Sequence, residues 1–279
     1  MAGPCEVLLR STDNMFCHSI AELAIQETQR IERKYSRYLS NNLVYRMNAS
    51  NGNSIDIDQE TFQLLEYARN LFELSDGMFD ITSGVLREIW NFSVGSVPPS
   101  QQHIDEFIPN IGFDKLVYDQ SYFSMRENME IDFGGIGKEY AVDQVCKIIR
   151  PLCYKDKCAF LVNFGGDTFA EVFSTGDPEW TIGVEQVNAL ADQHQLIKIR
   201  HGAVATSGNS KRFFEYSGQR YGHLLNPKTG YPIENTPLSV TTFASSCVLA
   251  GSFSSMAMLQ GVGAEKFLQE QDIKYICNR

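Results

Sequence analysis

The sequence has no Cys-x-x-Cys pair, no His-Glu-x-x-His and no basic or apolar leader at its start. Its seven cysteines (Cys5, Cys17, Cys146, Cys153, Cys158, Cys247, Cys277) are odd in number and scattered. That pattern argues against a disulfide framework and a zinc site, and it fits a reducing compartment. The opening residues reach an acid, Glu6, at once, so a cytoplasmic protein, or an exported one with its leader trimmed away, is expected. Cations are also in deficit: 24 Lys+Arg against 34 Asp+Glu leave a net charge of −10. Such a field repels phosphate backbones and anionic headgroups, which disfavours nucleic acid and membrane surfaces as partners. No repeat, low-complexity tract or linker-like run divides the 279 residues. One domain of two intimately packed parts, with no assignable boundary, is therefore expected. The uncharged run 235–264 is long enough to span a bilayer, but Ser and Thr crowd it and Gly251 interrupts it. It reads as a buried strand followed by a helix.

What is present is ordinary globular composition, 43% hydrophobic and 21% charged. Ile20, Leu23, Ala24, Thr28, Ile31 and Tyr35 share one helical face, and Asp58 caps a second helix carrying Phe62, Leu65, Ala68 and Phe72 before Gly77 stops it. A loop is expected around Val97-Pro98-Pro99-Ser100, with short strands predominating from Leu116 onward. Residues 129–132 read as a strand, Gly134-Gly135 as a turn, and 137–150 as a helix that Pro151 ends. A second buried strand, 159–163, runs into Gly165-Gly166 and Asp167. Strand-like alternation covers 180–186 and 195–206, and a hairpin turns about Ser217-Gly218. A strand at 238–244 then leads into a small-residue helix over 248–261. The class is α+β.

Asp132-Phe133-Gly134-Gly135-Ile136-Gly137-Lys138-Glu139-Tyr140 is a Gly-rich turn opening a helix, where free N–H groups and the helix dipole favour a phosphate. It lacks the dinucleotide fingerprint and the Walker pair, so an NAD-type oxidoreductase is disfavoured, and a plain tight turn remains a reading. Of five histidines only His223 sits among turn and site-like residues. It is either the base that removes a hydroxyl proton or a hydrogen-bonded structural histidine. Thr206-Ser207-Gly208 lacks the flanks of a nucleophile elbow and reads as a hydrogen-bonded turn. Gly251 and Ser255, four apart with Ser254 adjacent, share a helix face that admits either a ligand or a closely packed helix.

In order and spacing these segments resemble the ApbE family, the FAD:protein FMN transferases, over nearly the whole chain. The resemblance runs through Lys34-Tyr35-Ser36-Arg37-Tyr38, Gly77-Met78-Phe79-Asp80-Ile81-Thr82, the segment from Asp132 to Asp143, and Asn163-Phe164-Gly165-Gly166-Asp167. It continues through Ala205-Thr206-Ser207-Gly208, the segment from His223 to Pro232, and the small-residue helix after Ser239-Val240-Thr241. The resemblance implies two pseudo-repeated α+β halves of T-fold type with FAD in a cleft between them. It also implies transfer of FMN from FAD to a Thr or Ser hydroxyl of an acceptor flavoprotein as a phosphoester, with release of AMP. His223 matches the family's base, and Met1, Tyr38, Met78, Phe79, Asp80, the backbone of Gly134, Tyr140 and Leu225 match FAD contacts. Asn163, Gly165, Gly166, Asp167 and Thr206 are expected near the same cofactor. The acceptor implied is a short Gly-Ala-Thr/Ser motif on a respiratory or reductase subunit.

One departure concerns magnesium. The family's site joins a backbone carbonyl, matched by Gly137, to an Asp and a Thr one helical turn apart, where this chain has Gly251 and Ser255. Magnesium takes oxygen ligands and usually a carboxylate, so its principal anchor is missing, while Ser254 and Ser255 offer neutral oxygens. Glu139 stands where the family commonly has Gly. Two readings follow: Glu139 supplies the missing carboxylate, or it is a solvated first-turn acid. With Gly251 in place of Asp, an FAD-binding protein without transferase activity and an FAD hydrolase giving FMN and AMP are the alternative functions.

Overall fold

The computed structural model describes residues 3–185, 194–210 and 212–279. Its centre is a six-stranded antiparallel sheet in the order β1-β5-β6-β9-β12-β13. These strands are β1 (Cys5–Leu9), β5 (Phe160–Phe164), β6 (Asp167–Glu171), β9 (His201–Gly208), β12 (Ser239–Ala244) and β13 (Lys274–Asn278). Helices α5 (Gly137–Lys155) and α6 (Cys247–Leu259) lie against the sheet, and α1 (Asn14–Tyr35) packs on α5. Besides short 3-10 turns such as Ile81–Glu88, the other elements are α2 (Leu43–Asn48), α3 (Gln59–Leu74), α4 (Gln101–Phe107) and α7 (Ala264–Glu270), a small sheet of β2 (Ile55–Asp56), β3 (Val117–Tyr118) and β4 (Tyr122–Ser124), and two hairpins. One hairpin is β7 (Trp180–Glu185) with β8 (His194–Ile199), the other β10 (Phe213–Tyr216) with β11 (Gln219–Gly222). The α+β class is as expected. Among the described residues no helix is long and apolar enough to cross a membrane.

Local chemistry explains these elements. Asp13 caps α1 by accepting from Met15 and Phe16 N–H, and the helix buries Ile20, Ala24, Ile31 and Tyr35. Asp58 caps α3, and Gly77 at φ +75° closes its end by donating to the Phe72 carbonyl at 2.7 Å. Between β5 and β6 the chain reverses through Gly165 and Gly166 at φ +60° and +100°, a two-residue turn with positive φ at both positions that glycine adopts at no steric cost. Asp143 fixes how two layers meet: from α5 its carboxylate accepts from Cys247 and Val248 N–H at 2.8 and 2.9 Å, at the first turn of α6.

Three expectations are corrected. Helix α5 continues through Pro151 to Lys155. Its apolar stripe of Val142, Val145, Cys146, Ile149 and Cys153 runs past the proline, so burial offsets the lost N–H. The helix ends where Lys157 adopts φ +51° and Cys158 N–H reaches the Cys153 carbonyl at 2.8 Å. Residues 129–132 are not a strand. The Asn48 carboxamide donates to the Ile131 carbonyl and accepts from its N–H, at 3.1 and 2.9 Å, taking the place of a neighbouring strand. Finally, Thr206-Ser207-Gly208 is no turn but the end of β9, in register with Thr241, Val240 and Ser239.

Candidate active site

A cleft opens between the loop that follows α3, the residues flanking the hairpin β10–β11 and the half-buried side of α6 that carries Ser255 and Leu259. Met78, Phe79, Asp80, His223, Leu225 and Ser255 all line it, six of the expected site residues brought together from three distant segments. An apolar cluster holds the walls in place. Trp90 packs on Phe92, Phe214 and Tyr221, its Nε1 donates to the Gly230 carbonyl at 2.7 Å, and Val85, Leu86 and Ile104 complete the cluster.

His223 stands on the chain leaving β11. Its Nδ1 lies 3.1 Å from the Arg212 carbonyl oxygen and its ring meets Phe92 edge-on. A carbonyl only accepts, so Nδ1 carries the proton and Nε2 keeps a free lone pair. Burial lowers the imidazole's pKa below its ordinary value; the hydrogen bond to Arg212 opposes this and the Arg212 charge adds to it.

Several expected FAD contacts spend their polar atoms on the fold. Asp80 is buried, and its carboxylate accepts from Thr82 N–H, Thr82 Oγ1 and Phe113 N–H at 2.8, 2.7 and 3.1 Å. It braces the loop carrying Met78 and Phe79; its own pKa is raised, burial being the cause. Gly134 N–H is bonded to Asp132 Oδ1, while Gly135 faces the cleft against Phe79. Tyr38 is 77% exposed, its ring under the Arg37 guanidinium and its hydroxyl accepting from Arg37 at 3.0 Å. Tyr140 is turned away: its hydroxyl donates to Glu60 and it lines a different cavity with Tyr67 and Asp143. Met1 lies outside the described residues.

A second cluster lies behind the Gly-rich turn. Asn163 holds the β5–β6 turn, its Oδ1 accepting from Gly166 N–H and its Nδ2 donating to Glu6, both at 2.9 Å. Asp167 is buried in an ion pair with Lys138 and accepts from Thr206 N–H at 3.2 Å. Thr206 shares a hydroxyl hydrogen bond with Thr241 at 2.8 Å.

Glu139 is not the solvated first-turn acid of the second reading. It is 7% exposed, its Oε2 has no hydrogen-bond partner, and burial followed by the neighbouring Asp167 charge pushes its pKa up to about 8. It also fills the space opposite Gly251, where a Cβ would come within 2.5 Å of Glu139 Cγ. On the same helix, Ser254 is wholly buried and donates to the Gly251 carbonyl at 3.0 Å. Ser207 Oγ bridges Ser254 and Ser255 at 2.8 and 3.0 Å. Gly137, the first residue of α5, lies two positions after the cleft residue Gly135 and two before Glu139. Among the described residues no three His, Cys, Asp or Glu side chains cluster as a metal site, so any cation here must draw on hydroxyl, carbonyl or substrate oxygens as well.

Sequence reasoning missed the charged part of the cleft. Arg37 pairs with Asp132 at 2.8 Å, Arg87 forms two bonds to Glu130 at 2.8 and 2.9 Å, and Arg212 lines the wall beside His223. Arg37 falls within the Lys34–Tyr38 motif, but nothing local marks Arg87 or Arg212 as facing a site.

The family model described as the ApbE family matches residues 1–277. The FAD:protein FMN transferase of Klebsiella pneumoniae is 27% identical, the match covering 99% of this chain and 86% of that protein. The protein of the same name from Treponema pallidum is 26% identical over 87% of this chain and 74% of its own length. Among solved structures, the ApbE protein of Thermotoga maritima superposes with a TM-score of 0.85 at 29% identity, covering 99% of this chain and 90% of that one. The apo flavinyl transferase ApbE of Pseudomonas stutzeri shares the fold, with a TM-score of 0.85 at 24% identity over 99% and 91% of the two chains.

Proposed function

The chain belongs to the ApbE family, and from that membership we propose that it transfers FMN from FAD to a Thr or Ser hydroxyl of an acceptor flavoprotein. The observation that carries the reading is His223 on the wall of a cleft lined with arginines, its Nδ1–H held by the Arg212 carbonyl so that Nε2 is left to accept a proton. The acceptor oxygen attacks the FMN-side phosphorus of FAD. A new P–O bond forms, the bond to the bridging oxygen breaks, AMP leaves with that electron pair, and the hydroxyl proton passes to Nε2. Met78, Phe79 and Leu225 supply apolar contact for the flavin end, and Arg37 and Tyr38 form a stacked pair at its rim.

For magnesium, the buried and unpartnered Glu139 Oε2 fits a missing charge partner, and Gly251 is what leaves room for that side chain. Glu139, the Gly137 carbonyl and the Ser255 hydroxyl would hold the ion. Asp167 stands beside Glu139, and Ser254 keeps the helix face in place. When bound, magnesium neutralises pyrophosphate charge.

The test is the intact mass of a Thr-containing acceptor domain incubated with the protein and FAD, with magnesium or with chelator, while AMP is followed. One added FMN with stoichiometric AMP is expected. AMP and FMN without acceptor labelling would mean hydrolysis, and bound FAD with no AMP on several acceptors would mean a binding protein.

A further inference from the structure

Three arginines line the cleft, and two of them are already neutralised: Arg37 by Asp132 and Arg87 by Glu130. Arg212 differs. Its side chain is exposed, and among the described residues no carboxylate pairs with it, in a chain whose net charge is −10. Both its main chain and its side chain act on the proposed base. Its carbonyl accepts a hydrogen bond from His223 Nδ1–H at 3.1 Å, and its side chain lines the same cleft as the imidazole, where its charge disfavours protonation of the ring. A cation left unpaired beside a base makes that base weaker, an arrangement with no benefit to the empty protein. It becomes favourable once an anion lies between them.

Resting on the transferase reading, we propose that Arg212 is a catalytic residue that holds the phosphoryl group under transfer. Attack by the hydroxyl builds negative charge on the equatorial phosphoryl oxygens while Nε2 receives the proton, so the reacting phosphorus lies between an imidazolium and a guanidinium. The planar fork of arginine matches two phosphoryl oxygens at once, which a lysine cannot do. Repulsion between the two cations then speeds return of the proton to solvent after AMP leaves. The main-chain and side-chain roles are separable, because any residue at position 212 retains the carbonyl.

The experiment compares wild type, Arg212→Ala and Arg212→Lys in the full chain with FAD and an acceptor domain. It reads kcat, KM for each substrate, the FAD dissociation constant from flavin fluorescence, and rescue by added guanidinium. For Arg212→Ala the expected result is a kcat lower by about 100-fold with the FAD dissociation constant changed by less than about threefold. Guanidinium at tens of millimolar should restore about tenfold or more, and Arg212→Lys should fall in between. A kcat for Arg212→Ala within threefold of wild type overturns the proposal, as does a loss that guanidinium does not relieve and lysine does not moderate. A wild type that neither labels acceptor nor releases AMP overturns the transferase reading and this one with it. An active wild type beside an equally active Arg212→Ala overturns the role of Arg212 alone.

Discussion

Placing a side chain on Gly251 tests the packing of α5 against α6 with no ligand involved. A Cβ there would lie 2.5 Å from Glu139 Cγ and 3.0 Å from both Cδ and Oε1, whereas ordinary contacts begin near 3.4 Å. The Glu139 side chain must then move by about 1 Å inside a packed interior, an overpacking cost of about 1–3 kcal/mol. Against this, alanine in place of a helical glycine returns about 1 kcal/mol. Gly251→Ala should therefore be neutral to destabilising by about 2 kcal/mol. In a Glu139→Gly background, where the obstacle is gone, the same change should stabilise by about 1 kcal/mol. Gly251→Asp adds a carboxylate beside Glu139 and Asp167 and should cost about 3 kcal/mol alone, but little once Glu139 is glycine. Urea unfolding of the four proteins in each cycle, at pH 7 with chelator present, gives the coupling energies. If Gly251→Ala and Gly251→Asp have the same effect, within about 0.5 kcal/mol, with and without Glu139, the two positions do not compete for one space and the assignment of Glu139 to the place of the missing aspartate fails.

His223→Ala should lower FMN transfer by about 1,000-fold with FAD affinity retained, measured by acceptor mass and flavin fluorescence. Because burial holds the imidazole below its ordinary 6.5, with the Arg212 charge adding to this and Arg37, Asp80, Arg87 and Asp132 also on the cleft, the base is neutral above that value. The acid limb of kcat/KM should therefore fall below pH 6.5. Glu60 is desolvated, which alone would raise its pKa, yet hydrogen bonds from Arg30, Lys34 and Tyr140 outweigh that and lower it from 4.5 to about 2. Its contribution is full above its unfolded pKa and is lost as pH falls toward the folded one. Glu60→Gln should cost about 2 kcal/mol at pH 7, after discounting for solvent screening, and nearly nothing at pH 2 by chemical unfolding. Asp143→Ala leaves two N–H groups of α6 without its carboxylate and should destabilise by about 2 kcal/mol by the same assay.

Much of the framework is legible from neighbouring residues alone, because periodicity and capping act within a few positions. The spacing of Ile20, Ala24, Ile31 and Tyr35 marks α1, Asp58 and Gly77 bracket α3, and Ser217-Gly218 at φ +50° and +78° turns the hairpin that delivers His223. Met78, Phe79, Leu225 and His223 stand out as candidate site residues from their motifs, and the fold collects them in one cleft.

Local sequence therefore marks most of the elements, though not the fate of 129–132, of 206–208 or of the helix past Pro151. Packing settles which polar atoms remain available. Asp80 and Asn163 read as ligand contacts, yet their oxygens serve Thr82, Phe113 and Gly166, since buried polar atoms take the nearest partner the fold offers. Pro151 is tolerated because the apolar stripe around it is buried, and residues 129–132 lose their strand partner to Asn48 from a distant helix. Glu139 is a charged first-turn residue in any local reading. Only the packing of α5 on α6, pinned by Asp143, buries it against Gly251 and leaves one of its oxygens unpaired. Arg212 likewise lines the cleft only because the hairpin folds back beside His223, bringing a guanidinium and an imidazole together through space and not along the chain.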